Sequence, residues 1–196
     1  MTIAILGQGN MGSGLARRLE GEADLALGAR DPKAGELSYA DAVAKADIVV
    51  LALPFDAAVE VARTLDLAGK VVVDISNPVT PDFSGLKIGH STSAAEQIQG
   101  AAPGAKVVKA FNTIFAGLFA APVAETRGVP VFVAGNDEAA VAQVGDLARK
   151  AGFSVENAGT LDAARLIEPV GMLNIRFGYG LGKGTAIAPA WVKLAA

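Results

Sequence analysis

The sequence predicts an α/β protein: a doubly wound, mostly parallel sheet with a small helical extension at its C-terminal end. Three observations predict it. Short apolar runs alternate with helix-length segments along the chain. Two of these runs, 47–53 and 70–74, are almost unbroken in aliphatic residues, as expected of strands covered on both faces. The first run ends in a glycine-rich turn, Gly7-Gln8-Gly9-Asn10-Met11-Gly12, that opens directly into a helical segment. Together these describe a Rossmann-type architecture.

In chain order, strands are expected at 2–6, 24–28, 47–53, 70–74, 105–110, 130–134 and 153–156, with a short one before Ser38. Helices are expected at 10–20, 39–46, 55–66, 93–100, 137–151 and 160–178. Local chemistry marks several boundaries. Pro54 suits a first helical position, where its missing N–H is not needed. Ser93-Ala94-Ala95-Glu96 fits a capping box, and Gly152 suits a helix stop. The loop from Ile75 to Thr92 is long and punctuated by Pro78, Pro81, Gly85 and Gly89, as ligand-contacting loops often are. A second irregular stretch is expected at 117–128. In the last helix Pro169 should kink or interrupt the run, and Arg165 and Glu168 are spaced to pair on one helix face. Residues 1–157 are expected to form a dinucleotide-binding domain, and 158–196 a helical segment that closes the cleft or builds an oligomer contact.

The glycine turn is a full G-x-G-x-x-G between a strand and a helix, the context in which that pattern carries meaning. Gly7 permits the tight turn, Gly9 lets a pyrophosphate approach the backbone, and Gly12 lets helix and strand pack closely. The free N–H groups at the helix start would hold the phosphates. At the end of the second strand an NAD enzyme carries an acidic residue for the ribose 2′-hydroxyl. Here the run is Gly28-Ala29-Arg30-Asp31-Pro32-Lys33. Arg30 and Lys33 supply positive charge where a 2′-phosphate would lie, which points to NADP. Asp31 is the one acidic candidate for the NAD role, displaced by a position or two; Asp-Pro more commonly opens a turn.

Composition bounds the rest. The chain has 196 residues, 52% hydrophobic and 19% charged, with a net charge of −3. The low charged fraction suggests apolar surface buried between subunits, and hence a homodimer. No basic footprint for nucleic acid or anionic membrane is present. With no cysteine, disulfides, thiolate metal sites and cysteine nucleophiles are excluded. No histidine–carboxylate cluster has metal-ligand spacing, and no run reaches the roughly 18 apolar residues of a membrane span. No signal peptide is evident, so a cytoplasmic protein is expected.

Ligands of such folds bind outside the carboxyl ends of the strands. Three of those ends are chemically distinctive: Leu53-Pro54-Phe55, Ile75-Ser76-Asn77-Pro78, and Ala110-Phe111-Asn112-Thr113. All three are candidates to line a nicotinamide pocket, with Asn77, Asn112 and Thr113 as hydrogen-bonding groups. Loop capping by Asn and Thr is the plainer alternative. His90, the one histidine, lies in a glycine- and serine-rich loop where a solvated role is expected. No Lys, Tyr or His is arranged as the proton donor that carbonyl reduction usually needs. Hydride transfer between two cofactors needs mainly alignment of their rings.

The segments Ile5–Gly12, Leu27–Pro32, Leu53–Phe55, Lys109–Thr113 and Arg165–Pro169 together resemble the NADPH-dependent reductases of the deazaflavin coenzyme F420. Ala110–Thr113 also resembles the NADPH-binding domain of membrane metalloreductases, which pass hydride to a flavin. The resemblance implies NADP across the glycine turn, with Gln8, Gly9, Asn10 and Met11 at the pyrophosphate and Arg30 at the 2′-phosphate. It implies Leu53, Pro54 and Phe55 along the nicotinamide, and a deazaflavin ring stacked on it beneath the C-terminal segment. Phe55, Asn112 and Thr113 would then align the rings. A flavin, a small carbonyl or imine acceptor, or a non-catalytic NADP-binding sensor are the other readings.

Overall fold

The structure, a computed structural model, describes residues 1–192 and 194. Eight strands form one sheet in the order β3-β2-β1-β4-β5-β6-β7-β8. They are β1 (Thr2–Leu6), β2 (Asp24–Ala29), β3 (Leu37–Ser38), β4 (Ile48–Leu51), β5 (Val71–Asp74), β6 (Lys106–Lys109), β7 (Pro130–Gly135) and β8 (Ser154–Gly159). The first six run in one direction. β7 meets β6 antiparallel and β8 follows β7, so the last two run opposite. The helices are α1 (Asn10–Leu19), α2 (Tyr39–Lys45), α3 (Phe55–Thr64), α4 (Ala94–Ala101), α5 (Val123–Thr126), α6 (Glu138–Lys150) and α7 (Ala164–Ile175).

The two-residue period of the strands explains the layers. In β1, Ile3 and Ile5 face a core shared with Leu15 and Leu19 of α1 and Val144 and Leu147 of α6. Ala4 and Leu6 face the opposite core with Val43 of α2, Ala58 and Ala62 of α3, and Ile98 of α4. β4 is buried at every residue, as its aliphatic run requires. None of the described helices is long and apolar enough to cross a membrane.

Most expected elements stand within a residue or two of their positions, and four details differ. Pro54 is the residue capping α3 rather than its first helical residue. The stretch at 117–128 holds a 3₁₀ turn (Ala116–Ala120) and α5. Arg18 organises it, donating to the carbonyls of Phe119, Leu118 and Ala121 at 2.8, 2.8 and 2.6 Å. The final helix is continuous through Pro169: a 3₁₀ turn leads into α7, which ends in a π-helical turn, Arg176–Gly180. The proline is the sixth residue of α7 and forgoes one helical hydrogen bond, that to the Arg165 carbonyl, without ending the helix. Arg165 does not pair with Glu168. It forms a two-pronged contact with Glu96 of α4, Nε–Oε2 at 2.9 Å and Nη2–Oε1 at 2.5 Å, while Glu168 points into the protein.

Candidate active site at the carboxyl ends of the strands

The three glycines of the first turn are needed for different reasons. Gly7 has φ +100°, and a Cβ there would stand 2.4 Å from the Ala52 carbonyl oxygen. A Cβ on Gly12 would stand 2.0 Å from the Gly7 carbonyl oxygen. A Cβ on Gly9 meets nothing within 4 Å. Gly7 and Gly12 therefore serve close packing, and Gly9 faces open space. The start of α1 is chemically free: Gly9 gives no side-chain cap, and the first turn holds no acidic residue. α2, α4 and α6 are instead capped by Ser38, Ser93 and Asp137. The uncapped N–H groups and the space beside Gly9 fit a bound pyrophosphate.

Arg30 follows β2 immediately. Its Nε is 2.9 Å from Asp31 Oδ2, with the two side chains 84% and 82% exposed. Such a solvated pair is weak and readily exchanged for a phosphate. Lys33 is exposed on the same loop, where its backbone N–H donates to Glu36.

A cleft of about 260 Å³ opens beside the glycine turn. Its wall includes Asn10 and Met11 of α1, Ile75 and Asn77 after β5, and Phe111, Asn112, Ile114 and Phe115 after β6. Gly171, Asn174, Ile175 and Tyr179 close it from the C-terminal helix. Asn77 and Asn112 are locked together: Asn77 Nδ2 donates to the Asn112 carbonyl at 2.7 Å, and Asn112 Nδ2 to Asn77 Oδ1 at 2.9 Å. Asn112 Nδ2 also reaches the Ile167 carbonyl at 3.3 Å. Asn112 Oδ1 is buried with no partner among the described residues, and so are the hydroxyls of Ser76 and Thr113. Phe111 holds the left-handed backbone region at φ +59° while fully buried. Such strain persists where surroundings over-determine it, commonly at functional sites.

Not every expected site residue reaches this cleft. Leu53 lies against the glycine turn, its Cδ2 2.9 Å from where a Gly7 Cβ would stand. Pro54 is exposed and Phe55 buried at the start of α3, and neither lines the cleft. Thr113 is buried, with its carbonyl taking the Asn174 side-chain N–H at 3.0 Å. Pro78 is buried, its carbonyl accepting from the Lys87 N–H at 2.6 Å. His90 is exposed and outside the lining.

Sequence reasoning missed the roof contacts and a buried ionic cluster. A Cβ on Gly171 would come 2.6 Å from Asn77 Oδ1 and 2.9 Å from Asn112 Nδ2, so only glycine lets α7 sit this low. Phe115 and Tyr179 pack edge to face at 5.4 Å. Behind the wall, Lys109 Nζ stands 2.8 Å from Asp74 Oδ2 and 2.9 Å from Glu168 Oε1, all three side chains shut off from solvent. Glu168 also accepts the N–H groups of Ala94 and Ala95, at 3.0 and 3.4 Å. Burial pushes the Glu168 carboxyl above its ordinary range, against the Lys109 ammonium and the Ala94 N–H, which pull it down. One signal was available: β5 and β6 are apolar runs that each end in a charged residue, and parallel register pairs Asp74 with Lys109.

Comparison with known proteins agrees with this geometry. The family described as NADP oxidoreductase, coenzyme F420-dependent, matches residues 20–78. The F420-dependent NADP reductase of Methanocaldococcus jannaschii is 31% identical over 224 residues, covering 95% of this chain and 97% of that protein. The metalloreductase STEAP3 of Rattus norvegicus is 32% identical over 180 residues, 86% of this chain but 36% of that protein, so the chain spans about a third of its length. A crystal structure of a candidate F420-dependent NADP reductase from Arthrobacter sp. FB24 superposes with a TM-score of 0.78 at 33% identity, covering 94% of this chain and 96% of that one. The fold and these likenesses define an NADP-dependent oxidoreductase. The chain belongs to the coenzyme F420-dependent NADP oxidoreductase family.

Proposed function

We propose that the protein transfers hydride between NADPH and a deazaflavin coenzyme, F420. The observation that carries this reading is the character of the cleft: aromatic and amide groups line it, and among the described residues no carboxylate, lysine or histidine does. NADPH supplies a hydride from its dihydropyridine ring when bound. The chain's part is to hold and align. Gln8, Gly9, Asn10 and Met11 would bind the pyrophosphate, with Gly7 and Gly12 allowing the tight turn that presents them, and Arg30 with Lys33 would bind the 2′-phosphate. Leu53, Asn77 and Asn112 would border the nicotinamide, with Pro78 supporting Asn77 from behind. In this reading residues 1–157 bind NADP and 158–196 roof the cleft; at the cleft itself Asn112 and Asn174 hydrogen-bond across the two parts. Positioning of this kind is worth effective molarities of about 10⁵–10⁸ M.

A soluble cytoplasmic homodimer accompanies this proposal. Leu166, Leu173 and Trp191 of the C-terminal segment are exposed at 72%, 49% and 73%, apolar surface that a second copy of the chain could cover.

One observation favours a second reading. Tyr179 places a phenol at the cleft, 70% exposed, and a phenol can protonate a carbonyl or imine acceptor. NADPH oxidation by the purified chain against F420, FAD, FMN and a panel of carbonyls and imines separates the two. Turnover with F420 that exceeds the others supports the first reading. Turnover confined to carbonyls or imines, and lost in Tyr179→Phe, supports the second. NADPH binding without oxidation by any acceptor points to a sensor.

A further inference from the structure

Asp74, Lys109 and Glu168 take no part in the proposed alignment of rings, yet they form the most buried ionic group among the described residues. One ammonium serves two carboxylates, so the ionised cluster carries a net negative charge where water is excluded. Its remaining hydrogen-bonding capacity is filled by backbone: Lys109 donates to the Ser76 carbonyl at 2.5 Å, and Asp74 Oδ1 accepts the Ser76 N–H at 2.9 Å. Glu168 also accepts the first N–H groups of α4, whose partial positive end offsets about half of the extra charge.

The cluster's place gives the surplus charge a use. Asp74 directly precedes Ile75, Lys109 stands two residues before Phe111, and Glu168 follows Ile167, whose carbonyl holds Asn112. Ile75, Phe111 and Asn112 line the cleft. Lys109 and Asp74 hold the carbonyl and N–H of Ser76, whose neighbour Asn77 lines the cleft, so the cluster stands one residue behind the cleft wall. Among the described residues no charged side chain lines the cleft to oppose its field. The Arg165–Glu96 pair on the outer side of α7 and α4 is itself neutral.

The nicotinamide ring is neutral in NADPH and cationic in NADP⁺. Resting on the reading that this ring occupies the cleft, we propose that the surplus negative charge of Asp74, Lys109 and Glu168 stabilises the cationic ring. The cluster thereby biases the bound couple toward giving up hydride. The balance of the step is simple. The dihydropyridine C–H bond breaks, both of its electrons leave with the hydrogen to form a C–H bond on the acceptor, and the ring is left with one positive charge. A fixed negative charge behind it lowers the energy of that product and leaves the neutral reactant almost untouched.

The test is binding, not turnover. The full chain, Glu168→Gln and Asp74→Asn are each titrated calorimetrically with NADP⁺ and with NADPH at pH 8, and a thermal melt confirms folding. Either variant removes one negative charge at nearly constant shape. A unit charge roughly 10 Å from another, at an effective dielectric of about 20, shifts an equilibrium about tenfold. The expected result is a roughly tenfold loss of NADP⁺ affinity in each folded variant, with NADPH affinity within about twofold of the wild type. Equal losses for both cofactors, or none for either, would overturn the proposal, because a merely structural role damages both alike. Either folded variant suffices to decide. A wild-type chain that binds neither cofactor would instead bring down the reading of the cleft, and this inference with it.

Discussion

Lys109 and Glu168 meet inside the protein, Nζ to Oε1 at 2.9 Å, and the contact ties the C-terminal helix to the end of β6. The partners come from opposite ends of the fold's logic. Lys109 closes a central strand, and Glu168 lies on the inner face of α7. Because Glu168 also accepts the first N–H groups of α4, one carboxylate joins strand, roof and a helix start.

Removing the two partners should therefore have unequal effects. Lys109→Met leaves two carboxylates buried without their cation and is expected to cost about 3–5 kcal/mol. Glu168→Gln keeps an acceptor for Ala94 and leaves Lys109 paired with Asp74, so its cost should be smaller, about 1 kcal/mol. The two proteins should also differ in pH dependence. The folded Glu168 carboxyl is raised above its unfolded value by burial. Between those two values the folded state holds more protons than the unfolded state, so wild-type stability contributed by this group falls as pH rises through the window. Glu168→Gln lacks that fall. Urea denaturation from pH 4.5 to 8 checks both points; equal destabilisation by the two substitutions would contradict the asymmetry.

The glycine turn separates a packing role from a binding role. Gly9→Val adds a side chain into open space, so the fold should survive with its melting temperature nearly unchanged, while NADPH binding is lost. Gly12→Val drives a side chain into the Gly7 carbonyl and should destabilise the protein itself. Thermal melts paired with cofactor titration distinguish the two. A Gly9→Val protein that bound NADPH at wild-type strength would exclude this docking.

Arg30 is held only by a solvated contact to Asp31, so it is free to take a phosphate. Arg30→Ala should weaken NADPH binding roughly 10–150-fold and leave NADH binding little changed. Asp31→Ala should leave NADPH binding equal or better, since it frees Arg30. Parallel titrations with both cofactors decide this, and matching losses for NADPH and NADH after Arg30→Ala would refute the assignment.

What was legible in the sequence was whatever local chemistry controls. The glycine turn, the aliphatic strands and the Ser93 cap each depend on neighbours a few residues away, and each stands where expected: Ser93 Oγ accepts the Glu96 N–H at 3.2 Å. The places where the reading went wrong depend on distant partners. Arg165 and Glu168 have the spacing of a surface pair, yet each finds its partner on another element, because one helix face is covered by α4 and the end of β6. Phe55 stands at the expected strand end but is buried at the head of α3, outside the lining of the cleft. Tyr179 and Gly171 carry no local signal at all; their role follows only from α7 folding back over the Asn77–Asn112 pair.

That correction changes which substitutions should slow the reaction. Asn112→Ala removes the amide that Asn77 and the Ile167 carbonyl hold in place, together with a buried acceptor oxygen that has no partner among the described residues. It is expected to lower turnover more than it raises the KM for NADPH, because misaligned rings still bind. Phe115→Ala should act in the same direction by releasing Tyr179. Phe55→Ala, by contrast, should lower stability and leave turnover of the folded protein close to normal. His90→Ala, on an exposed loop outside the lining, should change turnover by far less than the roughly 100-fold loss of a general acid or base. The measurement is steady-state turnover of all four variants with NADPH deuterated on the transferred face. An isotope effect that persists in wild type and grows in Asn112→Ala marks hydride transfer as the step the cleft governs. A collapse of rate in His90→Ala alone would mean that a proton, not ring alignment, limits the reaction, and a carbonyl or imine acceptor would then be the better assignment.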